Sequence, residues 1–218
     1  MFNISDNDIN RRKRNIALLQ NQSVPFFAGL PLFAFETEVK IPTSINIAKR
    51  IVATLAIAIY CEARRDGATW IDAQKYIQIM DEIMYGELDS ELLPDERDFI
   101  ALQQPDMHQL AKYGWRYERC YVYLWALGAV KELKYPSGIC DVAAITRYVM
   151  QAQSLQKLVT NTKPRTKSEI LDVADLNFRY DWACNNAYIN GTENPAKLNN
   201  AVIYERLAAF EWLLCISQ

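Results

Sequence analysis

Residues 114–130 read GWRYERCYVYLWALGAV and combine two tryptophans and three tyrosines with a long apolar run. Three charged residues, Arg116, Glu118 and Arg119, lie within this run. In a soluble protein, charged side chains among so many apolar ones must be paired or held at the rim of a pocket, because burying an isolated charge is costly. The segment therefore predicts a helix at the centre of the protein, with its charges in a buried ionic network or a ligand pocket.

Two later predicted helices carry similar charges. Asp175 and Arg179 are spaced i, i+4, a spacing at which side chains on one helix face each other, and Glu205 and Arg206 have aromatic and apolar neighbours. If these helices pack on 114–130, six residues form one group: Arg116, Glu118, Asp175, Arg179, Glu205 and Arg206. A structural network that fixes helix register is the preferred interpretation. A polar pocket for a small anion or metabolite is the alternative.

Apolar spacing and capping residues predict an all-α protein. The chain has 218 residues, half of them hydrophobic, which is enough for one sizeable core. We predict one compact domain, 1–218, of about eight or nine helices. The proline-rich stretch 24–42 predicts an extended connector with at most a short strand. The predicted helices are approximately 6–19, 44–65, 70–84, 94–102, 106–134, 141–150, 154–159, 166–189 and 199–214.

Several kinds of catalytic site are missing from the sequence. His108, the only histidine, lies in a polar context that predicts a solvated side chain. One histidine without a cysteine cluster makes a zinc site improbable, and neither GxxxxGK[ST] nor GxGxxG occurs to bind a nucleotide phosphate. We expect no metal and no cofactor. These absences favour a non-catalytic protein over an enzyme.

Charge and cysteine usage indicate a soluble cytoplasmic protein. The net charge of −2 gives no electrostatic footprint for nucleic acid, and we interpret the basic run 11–14 as the solvated face of the first helix. Five scattered cysteines without a CxxC pair predict reduced, mostly buried thiols. The apolar run 51–61 is shorter than the roughly 20 residues that span a bilayer. It predicts a buried helix, so we expect no membrane association.

Trp115-Arg116-Tyr117-Glu118 followed by Leu124-Trp125-Ala126-Leu127-Gly128 resembles the signature of an uncharacterised bacterial family known only as a domain of unknown function, DUF4272. The resemblance implies an intact single domain and no assigned activity. The family pattern often has histidines where this chain has Asp181 and Leu207, so any chemistry of those histidines is absent here. Further matching stretches are 38–40, 48–50, 140–142, 169–172, 175–176, 179–180, 182–183, 204–206 and 212–213.

The leading functional hypothesis is a non-catalytic protein-binding domain, such as an immunity or inhibitor protein that neutralises a bacterial toxin domain. The acidic stretch 81–98 predicts a docking surface for a basic partner. An enzyme or metabolite-binding protein with a buried Arg/Glu pocket around Glu118 is the alternative. A homodimer through the aromatic connector is a third. The candidate partner-binding residues are Glu87, Asp89, Glu91 and Asp95.

Overall fold

The computed structural model describes residues 5–216, and within that range the chain forms eleven α-helices and one short 3₁₀ turn. No strand occurs between residues 5 and 216. The all-α prediction is therefore confirmed. Most helix starts follow the capping residues that the sequence offered, because a Ser, Thr, Asp or Asn side chain accepts an otherwise unpaired backbone N–H of the first turn.

The chain divides into two compact units, and the single-domain organisation stays a prediction. Unit 1 consists of Met1–Pro42, Lys134–Ile139 and Arg165–Gln218. Unit 2 consists of Thr43–Leu133 and Cys140–Pro164. Each unit is therefore built from separate stretches of sequence.

A long apolar helix, α2 (Ser44–Arg65), is the centre of unit 2. Its N-terminus is capped by Thr43, whose side chain accepts the N–H of Asn46, and most of its circumference is buried, as its sequence predicts. The helix α8 (Val142–Ala152) packs on α7 and α9. The helices that pack against α2 are α3 (Trp70–Ile83), α4 (Leu88–Glu91), α5 (Pro94–Ala101), α6 (Met107–Gly114), α7 (Arg116–Leu127) and α9 (Leu155–Val159).

The predicted continuous helix 106–134 is wrong. The structure has two helices there: the first ends at Gly114 and the second begins at Arg116. Glycine is a weak helix former, and Gly114 lies against the Cys61 Sγ atom, 3.7 Å from where a Cβ would stand. The second helix stops at Leu127, well before residue 134, since Gly128 adopts a left-handed backbone.

Unit 1 is formed by α1 (Asp6–Asn21), α10 (Lys167–Ile189), a 3₁₀ turn at Pro195–Lys197 and α11 (Asn200–Leu213). The α1 helix packs on α10, which also packs on α11. Ser5 caps α1, in a reciprocal capping box with Asp8. One cluster of core residues in this unit consists of Leu19, Val24, Tyr180, Ala183, Cys184, Leu198 and Ile203.

The proline-rich connector has no strand; residues 22–43 form turns and irregular backbone. Two of its aromatic residues lie on α10: the centre of the Phe33 ring is 5.5 Å from that of Phe178, and the centre of the Phe27 ring is 6.1 Å from that of Trp182. Phe27 is the most exposed of them, at 55%. The connector aromatics therefore cover part of the unit 1 helices.

By length and composition alone, α2 is the one helix within residues 5–216 that qualifies as a membrane span. However, 72% of its most apolar window is buried inside the protein. This burial is the pattern of a core helix in a soluble protein.

Gly128, at the end of α7, allows two segments of backbone to approach closely. Its φ is +85°, and a Cβ there would stand 2.1 Å from the carbonyl oxygen of Lys163. That separation is too short for any side chain, and the contacting atom belongs to backbone that cannot rotate away. The glycine is therefore required by both conformation and space.

We expect Gly128→Ala to destabilise the protein more than Gly86→Ala. Gly86 has the same φ of +85°, but nothing lies within 4 Å of its would-be Cβ, so its substitution costs only the left-handed strain, about 1–2 kcal/mol. Gly128→Ala adds a steric clash of about 1–3 kcal/mol. Urea unfolding of both variants measures the difference in the free energy of unfolding. Equal losses of stability would show that the close approach of Lys163 does not disfavour a side chain at position 128.

Candidate functional site

Five arginine side chains are almost completely buried, each no more than 2% exposed. A buried guanidinium group must be neutralised and hydrogen-bonded, because removing it from water is expensive. The partners of these side chains therefore identify the polar interior of the protein. The five residues are Arg11, Arg50, Arg116, Arg179 and Arg206.

In unit 2, one buried carboxylate serves two arginines. Glu96, which is 0% exposed, pairs with the Nη2 atom of Arg50, and its Oε1 atom lies 3.5 Å from the Arg116 Nε atom. Glu96 also accepts the backbone N–H of Leu93, the residue that precedes α5. Burial alone would lower the pKa of Arg50, but the charges and hydrogen bonds of Glu96 and Tyr123 together raise that pKa. The surroundings of Arg50 therefore favour its charged form.

Asp95 extends this cluster to the surface. Its Oδ2 atom lies 3.4 Å from the Arg116 Nη2 atom, 3.5 Å from the Lys112 Nζ atom and 3.1 Å from the Tyr113 hydroxyl, which donates to it. Burial by itself would raise the pKa of Asp95, but the Tyr113 hydrogen bond and the two positive charges lower it. Asp95, predicted as a docking residue, thus also has a structural role.

Glu118, in the first turn of α7, is 1% exposed and accepts the backbone N–H of Cys140. One turn later on the same helix, Tyr121 donates its hydroxyl to the carbonyl oxygen of Glu132, at 2.9 Å. The two contacts fix the chain immediately before and after residues 134–139. Glu118 therefore holds backbone in unit 2.

In unit 1, Asp175 accepts hydrogen bonds from several donors. The predicted i, i+4 pair is present, with the Arg179 Nε atom 2.9 Å from an Asp175 carboxylate oxygen. The Asn15 side chain and the backbone N–H of Phe33 also donate to this carboxylate, at 2.9 and 3.2 Å. Since Phe33 belongs to the connector, the pair attaches irregular backbone to α10.

The interpretation of the basic run 11–14 as a solvated face is wrong for Arg11. This residue pairs with Asp8, which is 0% exposed, and donates to the carbonyl oxygen of Ala34 at 2.9 Å. Arg14 is about half exposed and pairs with Asp172 at 2.7 Å. The capping box of Ser5 and Asp8 was the available signal, since it places a carboxylate one turn before Arg11.

Arg206, on α11, donates from Nη1 to the carbonyl oxygen of Lys134 at 2.7 Å. Its neighbour Glu205 is 4% exposed. The backbone of the same short segment is also held by the N–H of Asn199, which donates to Pro136 O at 2.8 Å. Residues 134–139 are thus anchored to the last helix by side-chain and backbone hydrogen bonds.

All six predicted network residues are buried, and they belong to both units. Arg116 and Glu118 lie in unit 2, where they contact α5 carboxylates and Cys140 respectively. The other four residues lie in unit 1, where Asp175 and Arg179 pair directly. A single network of all six residues stays a prediction. Arg50 and Glu96, which no sequence pattern indicated as a pair, also contact each other directly in unit 2.

The four predicted docking carboxylates have basic neighbours within unit 2. Glu87 and Glu91 lie 2.6 and 3.3 Å from the Lys49 Nζ atom, and Asp89 lies 3.3 Å from the Arg97 Nε atom. Two of them are nevertheless well exposed: 56% of the Glu87 side chain and 81% of the Asp89 side chain. These two carboxylates have the most freedom to meet a partner.

Titratable groups outside these pairs show little sign of catalytic activation. His108 is exposed, as predicted. Four of the five cysteines are buried, and burial raises the pKa of Cys61 and Cys184 to about 11, so both remain protonated thiols at neutral pH. Within residues 5–216, no group of three His, Cys, Asp or Glu residues is placed to hold a metal ion.

The fold and the buried charges define an all-α protein whose interior arginines hold loops to helices. A family model described as Domain of unknown function (DUF4272) matches residues 11–218, and the chain belongs to this family. The resemblance seen in the sequence is therefore confirmed. No curated protein and no solved structure matches the chain.

We expect Glu96→Gln to destabilise the protein by about 3–5 kcal/mol, because it leaves Arg50 and Arg116 without their shared buried charge. Asp89→Asn, which removes a carboxylate from the exposed pair with Arg97, is the matched control and should change stability little. The free energy of unfolding in urea measures both. A loss below about 1 kcal/mol for Glu96→Gln would mean that neither arginine depends on that charge.

Asp95→Asn should lower stability at pH 7 but not in acid. Because the pKa of Asp95 is lowered in the folded state, its carboxylate stabilises the protein above the unfolded-state pKa, about 3.9. That contribution disappears as the pH falls through the lower folded-state pKa. We expect a difference within about 1 kcal/mol at pH 7, since solvent screens the half-exposed side chain.

Urea unfolding of the wild type and Asp95→Asn between pH 7 and pH 3 measures the difference. The control is Asp98→Asn, which removes a charge from an exposed position of the same helix. A stability difference for Asp95→Asn that stays constant down to pH 3 would contradict the role assigned to its charge.

Proposed function

We propose that this protein is a non-catalytic protein-binding domain with a basic protein partner. In the more specific form of this proposal, it is a cytoplasmic immunity or inhibitor protein, and the partner is a bacterial toxin domain. The observation that carries the proposal is the acidic surface of unit 2, formed by residues 81–98. The buried charged residues are engaged mainly in holding the fold.

Residues 81–98 contain eight carboxylates and one basic residue, Arg97. Four more basic side chains of unit 2 pair with this segment: Lys49, Arg50, Lys112 and Arg116. Glu96, Arg50 and Arg116 are buried, so seven carboxylates face three basic side chains, Lys49, Arg97 and Lys112, and this surface has a negative excess. Such an excess attracts a basic partner and raises its association rate, and the effect weakens as salt screens the charges.

The contacts of the interior charges support a surface function. Glu96 and Asp175 accept hydrogen bonds from arginines and from backbone N–H groups, and Glu118 accepts the N–H of Cys140. A carboxylate engaged in this way already has its charge compensated by the protein. The alternative of a metabolite or catalytic pocket around Glu118 therefore has less support than a protein-binding surface.

The test is a charge reversal at the two most exposed acids. We expect Glu87→Lys/Asp89→Lys to weaken binding of the basic partner at least about tenfold, mainly by slowing association, while the melting temperature stays nearly unchanged. The partner is first captured with the tagged protein from its host. It is then purified and measured by surface plasmon resonance at low and high salt.

The matched control is Asp66→Lys/Glu193→Lys, which changes the net charge equally at two other exposed positions. If both double variants weaken partner binding equally, the cause is the change in net charge and not the position of Glu87 and Asp89. Unchanged affinity after reversal of Glu87 and Asp89 would contradict the docking surface. A host extract that supplies no stoichiometric basic protein, together with a metabolite whose binding Glu118→Gln abolishes, would favour the alternative.

A further inference from the structure

The outer side of α8 has no carboxylate and a single charged residue. Its exposed residues lie within about 160° of the helix circumference, at about 100° per residue, and Ile145 and Val149 are buried on the opposite side. The exposed residues are Ala143, Ala144, Arg147, Tyr148, Met150 and Gln151. Arg147 therefore lies among uncharged neighbours near the middle of an exposed helix face.

The larger side chains of this face are of the types that protein interfaces use. Arg, Tyr and Met are enriched at the centres of interfaces, whereas Lys, Glu and Asp are depleted there. Tyr148 is 39% exposed and Met150 is 36% exposed, and they lie on either side of Arg147 around the helix. A partner that contacts Arg147 can therefore also cover apolar area.

Positive charge in this part of unit 2 is not compensated by nearby acids. Residues 142–164 have three charged side chains, Arg147, Lys157 and Lys163, all basic and all exposed. None of the three is in an ion pair with another described residue. Asp141, the acid next to this stretch, accepts a backbone N–H of the first turn of α8. The three cations therefore remain available to an acidic partner.

Lys157 extends the positive face of α8 onto α9. The two helices pack together, and the Lys157 Nζ atom lies 3.3 Å from the side-chain oxygen of Gln153, the residue directly after α8. We call Arg147, Tyr148, Met150 and Lys157 the α8 surface. It combines two cations with two apolar side chains.

A complementary surface is present on the same chain. The acidic surface, residues 81–98, has an excess of carboxylates, and the basic residues that pair with it come from α2, α5, α6 and α7. Tyr85 lies within it and is 76% exposed, so it also offers apolar area. Both surfaces belong to one compact unit, in which α4 and α5 pack on α2 while α8 packs on α7 and α9. The α8 surface therefore meets an acidic surface only on another molecule.

We propose that the α8 surface docks on the acidic surface of a second copy of this chain, so that the free protein associates head to tail. The two cations of the α8 surface face Glu87 and Asp89, the most exposed acids of the other copy's acidic surface. The apolar side chains beside those cations cover Tyr85. Opposite charges and apolar area thus meet in the same contact.

The contact joins two different surfaces and is therefore heterologous. Each copy keeps a free acidic surface at one end of the assembly and a free α8 surface at the other. Association consequently continues into longer species or closes into a ring. Because the paired charges are exposed, the contact weakens as salt screens them.

Self-association needs no other protein, so it stands apart from the proposed function. A second copy nevertheless covers the same acids as the proposed basic partner. Partner binding and self-association then exclude each other, a consequence that rests on the proposed function. In that case the partner dissociates assemblies of the free protein.

The test is sedimentation velocity of the full-length protein at about 0.01 M and about 0.15 M salt, where the Debye lengths are about 30 and 8 Å. We expect the sedimentation coefficient to rise with protein concentration, and to rise more at the lower salt. Arg147→Glu/Lys157→Glu and Glu87→Lys/Asp89→Lys should each weaken association at least about tenfold, because like charges then face each other. Melting temperatures should stay nearly unchanged, since all four side chains are exposed.

Two further variants separate position from net charge. Lys13→Glu/Lys40→Glu reverses two exposed cations outside unit 2, changes the net charge as Arg147→Glu/Lys157→Glu does, and should associate like the wild type. The fourfold variant that combines the reversals of both surfaces has the net charge of the wild type. It exchanges the signs of the two surfaces, so association should return.

The outcomes distinguish this inference from the proposed function. A protein that stays monomeric at low salt overturns the inference, and the proposed function stands if reversal of Glu87 and Asp89 still weakens the basic partner. Equal loss in Lys13→Glu/Lys40→Glu, or no return of association in the fourfold variant, also overturns the inference. Self-association with the expected variant behaviour, from a host that supplies no basic partner, supports it and contradicts the proposed function.

A polyanion is the competing occupant of the α8 surface. Added polyphosphate should bind no more weakly to Arg147→Glu/Lys157→Glu than to Lys13→Glu/Lys40→Glu. Saturable polyphosphate binding by a monomeric protein, lost only when Arg147 and Lys157 are reversed, would assign the surface to a polyanion and overturn the inference.

Discussion

Buried arginine is the constraint on which this structure depends. An all-α protein has no sheet to satisfy the backbone of its connecting segments, yet buried carbonyl groups must still be hydrogen-bonded. Arginines on the helices meet this need, since one guanidinium group has donors enough for a carboxylate and a carbonyl oxygen. Arg50 pairs with Glu96 and also donates to the carbonyl oxygen of Glu91, and Arg11 does the same with Asp8 and Ala34. The same side chains therefore neutralise interior charge and position loops.

The sequence predicted the helices well where a capping residue and the spacing of apolar residues indicate the same helix start. Thr69 and Thr166 cap α3 and α10, which begin within one residue of the predicted starts at 70 and 166, because capping and amphipathic spacing are local properties. The stop at Gly128 depends instead on the neighbouring backbone of Lys163, which leaves no room for a Cβ, whereas Gly114 makes only ordinary contacts at its would-be Cβ. Glycine weakens a helix without ending it in every context, so its effect in 106–134 could not be read from the sequence alone.

The candidate site was predicted less completely, for a related reason. Charged residues in an apolar run signal burial, and that signal correctly found Arg116 and Glu118. The same signal exists for Arg50 within the apolar helix 44–65, but its carboxylate partner, Glu96, is 46 residues away in the chain. Tertiary packing decides which residues pair over such separations, and no fixed spacing in the sequence indicates the pair. Ile71 on α3 is 68% exposed, although an apolar side chain at that position also fits the buried face of a helix.

The division of the chain into interleaved stretches has a consequence for synthesis on the ribosome. Unit 2 ends at Pro164, whereas unit 1 needs the helices of the stretch Arg165–Gln218. Domains generally fold as units while the chain emerges, so unit 2 has its full sequence before unit 1 does. During that interval α1 lacks its partner α10, and the acidic surface of unit 2 already has all of its residues. The order of synthesis thus favours early formation of the unit that carries the proposed docking surface.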